Sequence, residues 1–317
     1  MVSESTSKTV RLIDGAGISN QIKLEVAEDV ARMRKEHGIQ PLLVVVQIGD
    51  DPASTVYVNS KVRTCEELGM GSRQIALPST TTTHELLALI SDLNSKDEVD
   101  GILVQLPLPG HIEERPILEA IDPAKDVDGF HPINVGRLAL SQPSLVPCTP
   151  MGVVELLERS NVPIRGANAC VVGRSNIVGR PMAQLLLQRD ATVTICHSRT
   201  RDLASVTRQA DILIAAIGRA GFIGLEHIKP GAAVIDVGVN RVSDPAVARQ
   251  LFGEDIERRL GIIAKRGFTI TGDVNAAEAD KVAGLRTPVP GGVGLLTVAM
   301  LMKNTLSAAK SRRDLAW

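Results

Sequence analysis

Aromatic side chains are nearly missing from this chain: four Phe, one Trp and one Tyr in 317 residues. So few rings leave no stacking platform for nucleic-acid bases. Charge of one sign is also lacking. The 35 basic and 36 acidic side chains leave a formal net charge of −1, so nothing suggests a nucleic-acid partner. No apolar run nears the roughly 20 residues of a membrane span. Met1–Thr9 is polar, lacks Arg and is not followed by a signal-type apolar core, so a frayed tail is expected there. Cysteine is sparse: Cys65, Cys148, Cys170 and Cys196 are far apart, and two lie in apolar strand-like runs. That pattern fits reduced thiols in a cytoplasmic protein better than a disulfide frame. The six histidines show no metal-ligand spacing, so no metal is expected. Internal repeats and low-complexity segments are absent as well.

What is present is ordinary for a globular protein, with 44% hydrophobic and 22% charged residues and length enough for two domains. Gly15–His37 reads as an amphipathic helix, with Ile18, Ile22, Val26 and Val30 on one face. Leu42–Ile48 is a strand with few polar positions, so both its faces should be covered. Ser54 reads as the cap of a helix reaching Leu68. A short strand (Ile75–Leu77), a helix (Thr83–Leu93) and a strand (Gly101–Val104) follow. Asp122–Ser144 reads as a long functional loop. Thr149–Arg159 reads as a helix bridging two domains. Further strands fall at Ile212–Ile217 and Ala233–Val237. A charged helical stretch lies around Glu254–Leu260, Gly284–Gly294 reads as a Pro/Gly loop, and Leu295–Leu306 closes the chain as a helix. Strands alternating with helices predict an α/β fold with parallel strands and right-handed crossovers.

The stretch Ala169–Gln188 carries the sharpest local signal. An apolar strand, Ala169–Val172, is broken by Gly173-Arg174-Ser175, and a helix is predicted over Ile177–Gln188, with Ile177, Met182, Leu185 and Leu186 on one side. Strand, glycine turn and helix aim a helix N-terminus and backbone N–H groups at a phosphate, although the spacing is not the common G-x-G-x-x-G. An ordinary strand-to-helix turn is the competing explanation. The next strand, Ala191–Cys196, ends in His197-Ser198-Arg199. An NAD site usually places Asp or Glu there for the ribose 2′-OH. Here a hydroxyl and a cation stand in that place, and Arg174 sits in the glycine turn. Those groups suit a 2′-phosphate, so the residues point to NADP unless both arginines are merely solvated.

Tyr57 and Lys61 stand one helical turn apart in the helix after Pro52, and share a face. The bland alternative is a core Tyr beside a snorkelling Lys. Tyr-x-x-x-Lys also suggests a short-chain dehydrogenase pair, but in that family the glycine loop comes first in the chain. Gln105 ends the GILV strand, where ligands bind in open α/β sheets. Lys125–His131 (KDVDGFH) holds carboxylates at i and i+2. A metal site there lacks a further ligand. One of the two could instead accept hydrogen bonds from an amino-pyrimidine-like ring.

Together these stretches resemble the bifunctional methylenetetrahydrofolate dehydrogenase/methenyltetrahydrofolate cyclohydrolase family. The matching residues are YVNSK (57–61), VQLPLP (104–109), KDVDGFHPIN (125–134), PCTP (147–150), GRSNIVGRP (173–181), VIDVGVN (234–240) and TPVPGGVG (287–294). They cover nearly the whole chain. Two departures stand out: a longer connection between Arg241 and Gly272, and the tail past Leu306. No synthetase-sized extension accompanies the match, so formate-ligase activity is not expected.

The resemblance implies a two-domain α/β protein with a cleft between the domains. A folate-binding catalytic domain (1–150) would be joined by a returning helix (293–310), and a Rossmann-like NADP-binding domain would span 151–292. A homodimer is implied, as are two reactions: NADP⁺-dependent oxidation of 5,10-methylenetetrahydrofolate and hydrolysis of the methenyl product to 10-formyltetrahydrofolate. On the matching positions, Lys61 would transfer protons, Gln105 would orient Lys61, and Tyr57 would pack on the folate. Asp128 would anchor the pterin ring, and Pro290, Gly291 and Gly292 would approach the folate by backbone. Gly173, Arg174, Ser175 and Ser198 would take the cofactor phosphates, with Val239 near the nicotinamide. A dehydrogenase-only relative and a non-catalytic folate- or nucleotide-binding protein are the alternatives; the presence of Lys61 argues against the first.

Overall fold

The computed structural model describes residues 10–315, so the tail expected over Met1–Thr9 lies outside the described residues. In chain order, β1 (Arg11–Leu12), α1 (Gly15–His37), β2 (Leu42–Ile48), α2 (Pro52–Glu67), β3 (Gly71–Leu77), α3 (Thr83–Ser95) and β4 (Gly101–Val104) lead into α4 (Glu114–Ala120), α5 (Pro132–Ala139) and α6 (Cys148–Arg159). The chain continues through β5 (Asn168–Val172), α7 (Gly179–Leu187), β6 (Thr192–Cys196), α8 (Leu203–Thr207), β7 (Ile212–Ala215), β8 (Ala233–Asp236) and β9 (Asn240–Val242). It ends with α9 (Pro245–Leu251), α10 (Ile256–Arg266), β10 (Thr269–Thr271), α11 (Ala276–Ala279), β11 (Leu285–Arg286) and α12 (Val293–Ser311). Two compact units share these elements. One holds Ser19–Met151 and the chain from Thr297 onward; the other holds the chain up to Ile18 and Gly152–Leu296.

The first unit is built on a parallel sheet of order β3-β2-β4. The central strand β2 is buried from Leu43 to Ile48, as its apolar run requires. Val44, Val46 and Ile48 pack with Leu86, Ile90 and Leu93 of α3 and Ile117 of α4. A reciprocal Thr82–Glu85 capping box starts α3. At α2 the cap is Asp51 rather than Ser54. The Asp51 carboxylate accepts from the Ser54 N–H at 2.8 Å, so Ser54 sits inside the first turn. The expected loop Asp122–Ser144 contains α5. Pro132 takes the first turn, His131 Nδ1 accepts from the Ile133 N–H, and Leu138 is buried; here proline starts a helix rather than breaking one.

The second unit carries a six-stranded, wholly parallel sheet of order β1-β11-β8-β7-β5-β6. The order turns around β5, the switch point at which such sheets bind ligands. β1 corrects the expected boundary of 1–150. Arg11 and Leu12 pair with Leu285 and Arg286, so the N-terminal strand belongs to the nucleotide-type sheet. A two-residue strand has no periodicity to read, and its partner lies at the far end of the sequence. α7 begins at Gly179, later than expected. Met182, Leu185 and Leu186 are buried, whereas Ile177 precedes the helix and is exposed. The long connection after Arg241 is an antiparallel β9–β10 hairpin carrying α9 and α10. Val242, Ala248, Leu251, Phe252 and Ile263 form its own small core.

Candidate active site

In the first unit, Gln105 extends the β4 ladder by donating its N–H to the Val46 carbonyl, so its side chain starts at the carboxyl edge of the sheet. α2 rises from the adjacent edge, after β2. Its Lys61 reaches that side chain: Nζ donates to Gln105 Oε1 at 2.9 Å. The amide is oriented by its other end, where Nε2 donates to the Leu106 carbonyl at 2.7 Å. Tyr57, one turn before Lys61, is 55% exposed, which excludes the reading of a buried core tyrosine.

The KDVDGFH stretch divides its charges between architecture and site. Lys125 is fully buried, and its ammonium donates to the carbonyls of Leu93, Asn94 and Lys96, closing the end of α3. Burial, with Arg312 nearby, lowers its pKa. Asp126 accepts from the His131 N–H at 2.8 Å and from Asn134 Nδ2 at 2.9 Å. Its oxygens therefore hold the loop, and burial raises its pKa. Asp128 is the half-buried carboxylate near the Lys61 charge. Burial lifts its pKa to about 6, the Lys61 ammonium pulls against that shift, and Asp126 adds to it.

The loop is fixed from α12, where Asn304 Nδ2 donates to the carbonyls of Val127 and Val146, both at 2.8 Å. Gly129 permits the close approach. It has φ +73°, and a Cβ there would lie 2.5 Å from the Val146 carbonyl carbon.

The second unit gathers its candidates at the carboxyl ends of β5, β6, β7 and β8. Gly173, at φ +133°, lies so close to Ala216 that a Cβ would meet its carbonyl oxygen at 2.2 Å. Ser175 does more than face a ligand: its Oγ accepts from the Val178 and Gly179 N–H groups at 3.2 and 3.3 Å. Those N–H groups are thus partly used within the chain, and the serine hydroxyl keeps its proton to donate. Arg174, Ser198 and Arg199 are exposed, and Val239 is 59% exposed.

Sequence reasoning missed two carboxylates beneath these loops. Asp273 accepts from the N–H groups of Ile217, Gly218 and Arg219 and from Asn240 Nδ2, at 2.6–2.9 Å. Asp236 accepts from the N–H groups of Gly238, Asp273 and Val274, and burial raises its pKa to about 7. Together they fix the loops after β7 and β8. The available signal was an Asp at each loop with a Gly beside it. Gly238 has no room for a Cβ beside the Asp273 carboxyl, nor Gly272 beside that of Asp236.

The class is therefore an α/β protein pairing a Rossmann-like unit with a second α/β unit that carries a Lys–Gln–Asp group. Two family descriptions match the chain: "Tetrahydrofolate dehydrogenase/cyclohydrolase, catalytic domain" over residues 13–128, and "Tetrahydrofolate dehydrogenase/cyclohydrolase, NAD(P)-binding domain" over residues 147–313. The chain belongs to the tetrahydrofolate dehydrogenase/cyclohydrolase family. It is 54% identical over 302 residues to the bifunctional protein FolD of Koribacter versatilis, covering 95% of this chain and 97% of that protein. It is 50% identical over 311 residues to bifunctional protein FolD 2 of Arabidopsis thaliana, covering 98% of each. Among solved structures, bifunctional FolD from Campylobacter jejuni superposes with a TM-score of 0.86 at 45% identity, over 96% of this chain and 99% of that one. The Trypanosoma brucei dehydrogenase-cyclohydrolase, complexed with NADP and an inhibitor, gives 0.85 at 38% identity, over 96% and 98%.

Proposed function

We propose that this chain oxidises 5,10-methylenetetrahydrofolate with NADP⁺ and hydrolyses the methenyl product to 10-formyltetrahydrofolate, the two activities its family name describes. The observation that carries the reading is the Lys61–Gln105 hydrogen bond beside Asp128, an oriented amine next to a carboxylate. Asp128 anchors the amino-pyrimidine edge of the substrate. Tyr57 packs on the folate, and the backbone of Pro290, Gly291 and Gly292 approaches it.

The nucleotide unit fits a dinucleotide. The Ser175 hydroxyl keeps a proton to donate at the glycine turn, and no carboxylate stands among His197, Ser198 and Arg199 to repel a 2′-phosphate. Gly173, Arg174, Ser175 and Ser198 would hold the phosphates, and Val239 would serve the nicotinamide end. NADP⁺ supplies a hydride acceptor.

Removal of the hydride leaves a cationic methenyl bridge, and this step asks the protein for positioning. Hydrolysis asks for proton handling. Water adds to the methenyl carbon, the Lys61 amine takes the proton that water sheds, and the ammonium returns it to the departing nitrogen as the C–N bond breaks; the second water proton leaves the hydroxyl to solvent as the formyl C=O forms. Gln105 keeps the amine aimed through both transfers.

The test is one absorbance assay with methylenetetrahydrofolate and NADP⁺. Formation of NADPH removes a binding-only protein, and methenyl decay above its spontaneous rate removes a dehydrogenase-only one. We propose further that the chain forms a homodimer, as its resemblance to the family implies. Sedimentation at micromolar protein checks this, and a monomer would refute it. Among the described residues no helix is long and apolar enough to cross a membrane.

A further inference from the structure

We infer that Arg259, a residue of the long connection after Arg241, is a positioning residue that holds the Pro288–Gly292 loop in its substrate-binding shape. The inference rests on the proposal that Pro290–Gly292 approaches the folate.

The loop has little means of holding itself. Pro288 and Pro290 supply no N–H, Gly291 sits at φ +108°, and Gly292 leaves no room for a Cβ beside the Pro288 carbonyl. α1 backs it from one direction, where Gly15 lies so near that a Cβ would meet the Gly291 oxygen at 2.5 Å. Arg259 holds it from another. The guanidinium is buried, with the residue 6% exposed, and its NH2 donates to the Val289 carbonyl at 3.0 Å. The rest of the fork is anchored. Nε donates to Asp255 at 2.6 Å, NH1 donates to the Ile270 carbonyl at 3.0 Å, and the ring of Phe252 lies 4.5 Å below. One planar group therefore ties the loop to α10, to β10 and to the small core of the hairpin. A guanidinium can span acceptors in different directions, which a lysine ammonium on the same stem cannot do with that geometry. Phe252, Arg259, Val289 and Pro290 line a cavity of about 800 Å³, so a small solute can reach the guanidinium position.

Arg259→Ala leaves Asp255 paired with Arg258 at 2.6 Å, so it strands no charge. It frees Val289. A hydrogen bond to a charged group of this kind corresponds to roughly 10–100-fold in an equilibrium. We expect KM for methylenetetrahydrofolate to rise by about that range, KM for NADP⁺ to stay within about twofold, and ethylguanidinium to restore much of the loss. Arg259→Lys, which keeps the charge and stem, is expected to raise the folate KM as well, and it stands in should the alanine variant fail to fold. Unchanged folate KM in a folded variant overturns the inference. So does a rise in both KM values together with a lowered melting temperature and no rescue, which marks a merely structural residue. Gly291→Ala separates the two ideas. If it leaves folate KM untouched, the loop is not at the substrate and the underlying reading fails. If it raises folate KM while both Arg259 variants do not, the loop reading stands and the inference alone falls.

Discussion

The Lys61 ammonium is held by the Gln105 side-chain oxygen at 2.9 Å, while the Gln105 nitrogen is spent on the Leu106 carbonyl at 2.7 Å. The amide thus cannot turn to present its NH₂ to the lysine without giving up a bond. Replacing Gln105 by Leu keeps comparable bulk and removes the acceptor. Loss of a hydrogen bond to a charged group is worth about 1.5–3 kcal/mol, so the cyclohydrolase rate is expected to fall roughly tenfold or more. The dehydrogenase should lose far less. Parallel rate measurements of the two activities check this, and equal losses would assign Gln105 to substrate binding.

The proposed anchoring by Asp128 predicts a pH dependence. Burial raises its pKa from 3.8 to about 6, so in the folded protein it is largely neutral below that pH and ionised above it. An anchor that accepts two N–H groups of a pterin works best as a carboxylate. Affinity for a non-reactive folate analogue is therefore expected to rise as pH goes from about 5 to 7 and then level off. Asp128→Asn should bind more weakly and lose the step. Titration calorimetry across that range reads both effects; an affinity flat in pH for the parent protein would contradict the anchoring role.

Arg174 is the proposed discriminator between the cofactors. It is exposed at the glycine turn, with no carboxylate at the His197–Arg199 position. Arg174→Ala is expected to weaken NADP⁺ by an amount on the order of 1–3 kcal/mol and to leave NAD⁺ nearly unchanged. Cofactor titrations measure this. Equal weakening of both would place Arg174 at the shared pyrophosphate or in the fold.

Most of this architecture was legible in local pattern. β2 declared itself by an uninterrupted apolar run, α1 by Ile18, Ile22, Val26 and Val30, and the β5–α7 turn by Gly173. What the sequence hid was non-local or doubly determined. β1 is two residues long and finds β11 across the whole chain, so no period could reveal it. Within the expected loop Asp122–Ser144, α5 is hidden because Pro132 starts a helix only where His131 caps it. Asp126 and Asp128 look equivalent in the sequence; only the fold commits Asp126 to His131 and Asn134 and puts Asp128 beside the Lys61 charge. Asp236 and Asp273 are hard to see because most of their partners are backbone N–H groups, which no side-chain spacing marks.

On the proposed mechanism, one amine carries the proton traffic of the second reaction and none of the first. Lys61→Met keeps the apolar stem and removes the ammonium, so Tyr57 should keep its place. General acid–base help is typically worth roughly 10²–10⁴-fold, and the cyclohydrolase is expected to fall by about that much. The dehydrogenase should stay within roughly tenfold of the parent, with methenyltetrahydrofolate accumulating in the cuvette. Both activities intact, or both lost in proportion with weakened folate binding, would show that Lys61 carries no proton.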